Sequence, residues 1–176
     1  MSADAARAFD RLVAAADTAM IGVVTEAGGE VGGCLVGFHC QCSIEPRRYA
    51  VWLSKANHTC RLAERAEYLS VHWLARHQVG VAERLGTVSA DVDPAKMRHV
   101  PVTRDPDTGA PVLDEVHDRF VGRVVHRHDD GDHVCFVVEP VSAVAPAQSS
   151  RLRLSQVAHL EAGHPADPDE PARDNR

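Results

Sequence analysis

The chain has 176 residues, 44% of them hydrophobic, and a formal net charge of −6 at pH 7. This length predicts one domain that buries a core without metal or disulfide staples. The acidic balance argues against nucleic acid as a main partner, because phosphate backbones attract basic surfaces. No apolar run reaches the roughly 18 residues that a membrane-spanning helix requires, so no membrane partner is expected. The five cysteines follow no framework spacing, which predicts reduced thiols in a cytoplasmic protein.

The first half of the chain alternates helical and strand patterns. Apolar residues at helical spacing, such as Phe9 and Leu12, predict a first helix. Further along, Pro46 separates two predicted strands. The sequence predicts a helix over residues 3–16, strands over 19–26, 31–44 and 48–54, and a helix that starts near Thr59.

The second half is dominated by strand signals. In "YLSVHWL" Leu69, Val71 and Trp73 alternate with Tyr68, Ser70 and His72, which predicts a strand buried on one face. A short helix is predicted over 76–86, followed by a loop over 87–111 with one helical turn near Ala95. Strands 119–128 and 133–144 are predicted to form a hairpin around "DDGD", and residues 161–176 to form a disordered tail. About seven strands in hairpins indicate a mainly β fold, an antiparallel barrel or sandwich with helices at its periphery.

The segment "SKANHT", where a strand passes into a helix, collects groups that suit an anion. Asn57 is a strong candidate for the helix cap, and the first backbone amides of a helix favour negative charge. Lys55 adds a positive charge, while Ser54 and Thr59 add hydroxyl donors. A phosphate monoester would use all of these groups. An ordinary capped helix beside an exposed lysine explains the same residues, and the spacing does not choose between the two interpretations.

A glycine in "GCLVGFHCQCSI" interrupts a predicted strand at Gly37. Glycine within a strand marks a bulge or the close approach of a ligand or another backbone, so a flat ring could lie against the main chain here. Cys40 and Cys42 share a strand face while His39 points away, and no second cysteine pair follows at zinc spacing, so buried free thiols are expected and no metal site.

The segment "HRHDDGDH" contains His126 and His128 on one strand face and His133 at the start of the return strand. A metal clip is conceivable there, but histidines and acids on a solvated hairpin tip are the preferred interpretation. No phosphate-binding P-loop, dinucleotide fingerprint or serine nucleophile elbow occurs, so a nicotinamide would not be held by a Rossmann unit.

Taken in order, five segments between about Ala8 and Val144 resemble the flavin reductase-like, FMN-binding split-barrel family. They are "AMIGVVTE" after the first helix, "CSIEP", "WLSKANHTCRLAERA", "YLSVHWLARHQVGVAERLG" and "GDHVCFVVEPVSAV". The resemblance implies an antiparallel split β-barrel over residues 1–160, followed by the tail 161–176, and a homodimer with flavin near the subunit interface.

The resemblance also implies which residues meet the cofactor. The loop of Ser54, Lys55, Ala56, Asn57 and Thr59 corresponds to the segment that contacts the FMN phosphate and ribityl chain in the family. The strand of Gly37, Phe38, His39 and Cys40 corresponds to the one along the flavin ring. His133 corresponds to a histidine associated with nicotinamide binding or hydride transfer, and is the expected catalytic residue.

By resemblance, the function is an NAD(P)H-dependent flavin reductase that passes a hydride from NADH or NADPH to FMN, or to FAD, and supplies reduced flavin to a monooxygenase. One departure is that Leu35–His39 replaces a segment that in the family often carries small hydroxyl residues; backbone amides could take over those contacts, and His39 could meet the ring edge. Three alternatives stay open: a flavin carrier or sensor, a deazaflavin-dependent oxidoreductase, and a structural dimer with a decayed site.

Overall fold

The computed structural model describes residues 1–87, 96–145 and 150–160. Its α-helices within these ranges are α1 (Ala3–Ala15), α2 (His58–Ala63), α3 (Val79–Gly86) and α4 (Leu154–Val157), and Lys96–His99 form a 3-10 helix. Its strands there are β1 (Ile21–Ala27), β2 (Glu30–Val36), β3 (His39–Ser43), β4 (Arg48–Ser54), β5 (Tyr68–Trp73), β6 (Val102–Arg104), β7 (Pro111–Leu113), β8 (Arg119–Asp130) and β9 (His133–Val144).

Seven of these strands form one antiparallel sheet in the order β2-β1-β5-β8-β9-β4-β3, and β6 pairs with β7 apart from it. The prediction of a mainly β fold with antiparallel pairing and few helices is therefore confirmed. The two edge strands, β2 and β3, are consecutive in sequence, yet no backbone ladder joins them in the described part of the chain.

The sheet separates two apolar clusters. One face carries Val51, Leu53, Val71 and Phe136 among others, and these side chains are almost fully buried. The other face packs against α3, the 3-10 helix and the segment that follows β9, with Leu85, Leu113 and Leu152 at its centre. Burial of two apolar faces supplies the main driving force for this arrangement.

The predicted continuous strand over 31–44 is wrong. β2 ends at Val36 and β3 begins at His39, so Gly37 and Phe38 form a break between two strands, and the Phe38 carbonyl already accepts a hydrogen bond from the Trp52 N–H of β4 at 2.9 Å. β2 pairs with β1, whereas β3 pairs with β4 at the opposite edge of the sheet. The chain therefore crosses at Gly37 from one sheet edge to the other, which a period-two pattern cannot distinguish from a straight strand.

The predicted half-buried character of β5 is also wrong, because this central strand is buried on both faces. Ser70 and His72, expected to face solvent, each have 0% of their surface exposed. His72 Nε2 accepts a hydrogen bond from the Leu113 backbone N–H at 2.9 Å, so the neutral ring carries its proton on Nδ1. Burial lowers the pKa of His72 from 6.5 to about 3.

Several boundaries and elements differ from the sequence-based expectations. The first helix is confirmed, but its apolar residues Phe9 and Leu12 are 58% and 74% exposed and so do not enter the core of this chain. The third helix begins at Val79 instead of residue 76 and includes Gly86. The loop expected over 87–111 contains the 3-10 helix and β6, β7 begins at its end, and α4 was not predicted. Ala95 and the tail 161–176 lie outside the described residues.

The hairpin predicted around "DDGD" is confirmed. β8 and β9 pair from Arg119↔Val144 to Asp130↔His133, and Gly131 takes the left-handed backbone conformation with φ of 62°. β4 lies on the other side of β9 and pairs Ser54 with His133. The hairpin thereby brings its tip to the end of β4, where the "SKANHT" segment begins.

Candidate functional site

A cavity of about 240 Å³ opens where β4 ends and the chain crosses from β2 to β3. Five of the ten predicted site residues line it. They are Gly37, Phe38, Ser54, Asn57 and His133. These residues come from three separate segments of the sequence, and the tertiary structure brings them together.

Asn57 forms the predicted cap of α2. Its side-chain oxygen accepts a hydrogen bond from the Thr59 backbone N–H at 2.9 Å, and its carbonyl accepts from the Cys60 N–H at 3.0 Å. Asn57 itself therefore occupies two of the first amides of this six-residue helix. Thr59 is 2% exposed and its hydroxyl lies next to the buried Cys34 thiol, so this hydroxyl faces the protein interior.

Lys55 lies at the rim, beside the β8–β9 hairpin, instead of in the cavity wall. Its ammonium group forms an ion pair with the Asp129 carboxylate, and its backbone N–H donates to the Asp132 carbonyl at 3.0 Å. The Lys55 side chain is 30% exposed and that of Asp129 is 72% exposed, so solvent screens this pair. Ala56 follows Lys55 in the same loop and, like it, does not line the cavity.

His133 lies between an acid and an aromatic ring. Its Nδ1 lies 2.6 Å from Asp132 Oδ1, and its ring centroid lies 5.2 Å from that of Phe38. The hydrogen bond from His133 lowers the pKa of the Asp132 carboxyl, which is therefore ionised at neutral pH. An ionised acceptor at Nδ1 fixes the proton there and leaves Nε2 as the atom of this ring that is available to a ligand.

His39 is held away from the cavity by two hydrogen bonds. Its Nε2 lies 2.7 Å from the Ala19 carbonyl and its Nδ1 lies 2.6 Å from the Tyr49 hydroxyl. The carbonyl can only accept, so Nε2–H donates to it and Nδ1 accepts from the Tyr49 hydroxyl. His39 thus ties β3 to the residues just before β1, across the gap between the sheet edges, and burial lowers its pKa.

The cysteines divide into two groups. Cys34, Cys60 and Cys135 are buried, as expected for free thiols, whereas the prediction of burial is wrong for Cys40 and Cys42, which are exposed on the edge strand β3. Cys40 points outward and does not line the cavity. Among the described residues no three His, Cys, Asp or Glu side chains are grouped as a metal site.

The cavity wall fits a flat apolar group better than a charged one. A methyl group placed on Gly37 would lie 3.6 Å from the Met20 sulfur, which also lines the cavity, so the missing side chain leaves space there. Leu35 and Val36, the apolar departure noted in the sequence, lie in the same wall. At 240 Å³ the cavity is smaller than most whole-ligand pockets, so it suits one part of a cofactor such as a ring.

Sequence reasoning missed much of the wall. Besides Leu35 and Val36, which the sequence showed only as a departure from the family, the additional lining residues are Val13, Thr18, Met20, Cys34, Trp52, Leu53 and Leu154. Trp52 carried a usable signal, because it lies two residues before Ser54, where β4 ends in a group of polar residues. Val13 and Leu154 carry no such signal, since they reach the site only through the packing of α1 and α4.

No described helix is long and apolar enough to cross a membrane. The sequence matches the family model described as flavin reductase like domain over residues 16–156, and the chain belongs to that family. No curated protein matches the sequence.

Solved structures share the fold at low sequence identity. A nitrilotriacetate monooxygenase component B homolog from Mycobacterium thermoresistibile is 20% identical, with a TM-score of 0.68 over 84% of this chain and 80% of that one. An NADH:FAD oxidoreductase from Streptomyces globisporus is 20% identical, with a TM-score of 0.69 over 84% and 86%. An FMN-binding protein from Thermus thermophilus with bound 1-cyclohex-2-enone is 22% identical, with a TM-score of 0.66 over 71% and 68%.

Proposed function

We propose that this protein is an NAD(P)H-dependent flavin reductase that takes FMN, with FAD as a second substrate. The observation that carries the proposal is the convergence of Gly37, Phe38, Ser54, Asn57 and His133 on one cavity. The family membership supports the same activity. A solved structure of the Streptomyces globisporus NADH:FAD oxidoreductase holds NAD and FAD fragments, which correspond to the nicotinamide and to the second of the two flavins proposed for this chain.

Different residues of the site have different roles in this proposal. Gly37 and the apolar wall accommodate the flavin ring, while Ser54 and Asn57 offer polar contacts at its edge. Lys55 turns from Asp129 towards the phosphate, which accounts for its place at the rim. A flavin supplies the chemistry by accepting a hydride from a reduced nicotinamide. His133, oriented by Asp132 through Nδ1, accepts a hydrogen bond at Nε2 from the nicotinamide.

The direct test follows NADH absorbance with purified protein and FMN. We expect oxidation well above a protein-free control, with NADPH, FAD and riboflavin offered in turn. Tight flavin binding without nicotinamide oxidation would instead favour the carrier or sensor alternative, and turnover only when a deazaflavin is offered would favour the deazaflavin-dependent oxidoreductase. Absence of both binding and turnover with every flavin tested would reject the proposal.

Two substitutions separate the proposed roles. Lys55→Ala should weaken FMN binding more than binding of riboflavin, which has no phosphate, and Arg65→Ala is the control because Arg65 is an exposed cation elsewhere. We expect a loss of about two- to fivefold, the size of one screened charge pair. Equal losses for FMN and riboflavin would remove Lys55 from the phosphate site.

His133→Asn should lower kcat/KM for the nicotinamide while FMN affinity stays within about twofold. A parallel substitution, Asp132→Asn, should have a smaller effect in the same direction, because it removes only the group that orients the imidazole. Unchanged kcat/KM in His133→Asn would exclude a catalytic role for this histidine.

The proposal includes the wider arrangement implied by the family. Besides the cytoplasmic location expected from the cysteine pattern, it comprises a split β-barrel domain over residues 1–160, a homodimer with flavin near the interface, and delivery of reduced flavin to a monooxygenase. The name of the Mycobacterium thermoresistibile structure, a monooxygenase component, supports the last point. Light scattering at working concentration measures the oligomeric state, and a monomer would contradict the dimer.

A further inference from the structure

We call the 240 Å³ cavity lined by Gly37, Phe38, Ser54, Asn57 and His133 the flavin-site cavity. A second, larger cavity lies at the other end of β4. Its volume is about 430 Å³, within the range of small-molecule sites, and its lining includes Tyr49, Trp73 and Phe120. We call it the arginine cavity because Arg47, Arg48, Arg119 and Arg151 also line it. The two cavities share no lining residue. Tyr49 and Ser54 are five residues apart on one strand, which corresponds to about 17 Å.

Three aromatic rings form the apolar part of the arginine cavity. The ring centroid of Tyr49 lies 5.6 Å from that of Trp73 and 5.4 Å from that of Phe120. The centroids of Trp73 and Phe120 are themselves 5.6 Å apart. These are the separations of edge-to-face aromatic packing. A ring-bearing ligand would join an aromatic group that is already in place, so little side-chain freedom is lost on binding.

The charges at this cavity oppose the overall charge of the protein. Four arginines and one carboxylate, that of Asp118, line it, although the whole chain carries a net charge of −6. Arg151 is paired with Asp118, and Arg48 is paired with Glu139 at 3.0 Å. Arg47 and Arg119 have no carboxylate within ion-pair distance among the described residues, and the buried Nε of Arg119 has no hydrogen-bond partner there.

We propose that the arginine cavity binds a small planar aromatic carboxylate. The aromatic rings contact the apolar body of such a ligand, and the positive charge of the unpaired guanidinium groups balances its carboxylate. A neutral aromatic ligand would lose the interaction between carboxylate and guanidinium, and an aliphatic acid would lose part of the contact with the aromatic rings. This site is independent of the proposed flavin reductase activity, because no residue assigned to flavin or nicotinamide lines it.

The test is a calorimetric titration of the full-length protein with 2-naphthoate, with 2-naphthamide and cyclohexanecarboxylate as controls. We expect a 1:1 complex with a Kd below about 1 mM, the range a ligand of this size reaches without exceptional contacts. Both controls should bind at least about tenfold more weakly, and saturating FMN should leave the naphthoate Kd unchanged. Naphthoate bound beside Trp73 should also change the tryptophan fluorescence of the protein. Because Trp52→Phe leaves Trp73 as the sole tryptophan, this change should persist in that variant.

Two variants of exposed residues report on the charge requirement without disturbing the core. Arg47→Met removes a cation, and Gln41→Glu adds an anion at another lining residue. Each should raise the naphthoate Kd about two- to fivefold, whereas Arg65→Met, at an exposed cation that does not line the cavity, should leave it unchanged. Equal affinity for the acid and the amide, an unchanged Kd in both variants, or no heat of binding at all would overturn the proposal. So would competition between naphthoate and FMN, which would place the ligand in the flavin-site cavity.

Discussion

The buried His72 makes a quantitative prediction about acid stability. Its side chain is fully buried, and burial lowers its pKa from 6.5 to about 3. Between these values the unfolded chain binds a proton that the folded protein does not, so the free energy of unfolding falls as the pH decreases through this window. Above the unfolded pKa the contribution is fully present.

Over most of this pH window, the loss in free energy of unfolding depends only on the pKa of His72 in the unfolded chain. At pH 5 the unfolded state gains about 2 kcal/mol from protonation of this one histidine, while the folded state remains almost entirely neutral there. Urea unfolding of the wild type at pH 8 and pH 5 measures the total loss. The His72→Gln variant should lose about 2 kcal/mol less between the same two pH values.

Glutamine is the matched replacement because its side-chain oxygen can accept the Leu113 N–H in place of Nε2. His117→Gln is the control, since His117 is exposed. Between pH 8 and pH 5 this variant should lose as much free energy of unfolding as the wild type. The same pH dependence in His72→Gln and wild type would refute the reasoning. If the variant does not fold, an NMR titration of the wild type decides the matter, because the His72 ring should not titrate above pH 4 by this reasoning.

Three further predictions concern glycines and thiols. Gly122→Ala should destabilise the protein by about 1–3 kcal/mol, because the new methyl group would lie 2.7 Å from a branched side chain of β9, whereas Gly80→Ala, at an exposed position of α3, should be neutral or stabilising in the same urea assay. Gly37→Leu should fold normally but weaken FMN binding at least about tenfold by filling the flavin-site cavity; unchanged FMN affinity would separate this glycine from the cofactor. Cys40 and Cys42, the exposed pair, should react rapidly with a disulfide reagent in the native protein while the three buried thiols react only on unfolding, and five rapid equivalents would contradict the burial.

Local patterns in the sequence determined the type and rough extent of most elements. The hairpin around Gly131 was predictable because an Asp-Gly turn between apolar runs has few alternatives. The cap at Asn57 was also predictable from local sequence, because its side chain accepts a hydrogen bond from an amide only two residues away. The candidate site was predictable in part, through the polar groups at a strand end and the resemblance of ordered segments to a family.

Only the tertiary structure decided which edge each strand joins and what surrounds each polar group. The break at Gly37, the burial of both faces of β5, and the inward turn of Thr59 depend on residues far away in the sequence. The pairing of Lys55 with Asp129 and the aromatic group of the arginine cavity depend on such distant contacts as well. Hydrophobic periodicity records that a residue is buried or exposed on average, but strand order determines the neighbours, and neighbours determine charge, pKa and the shape of a site.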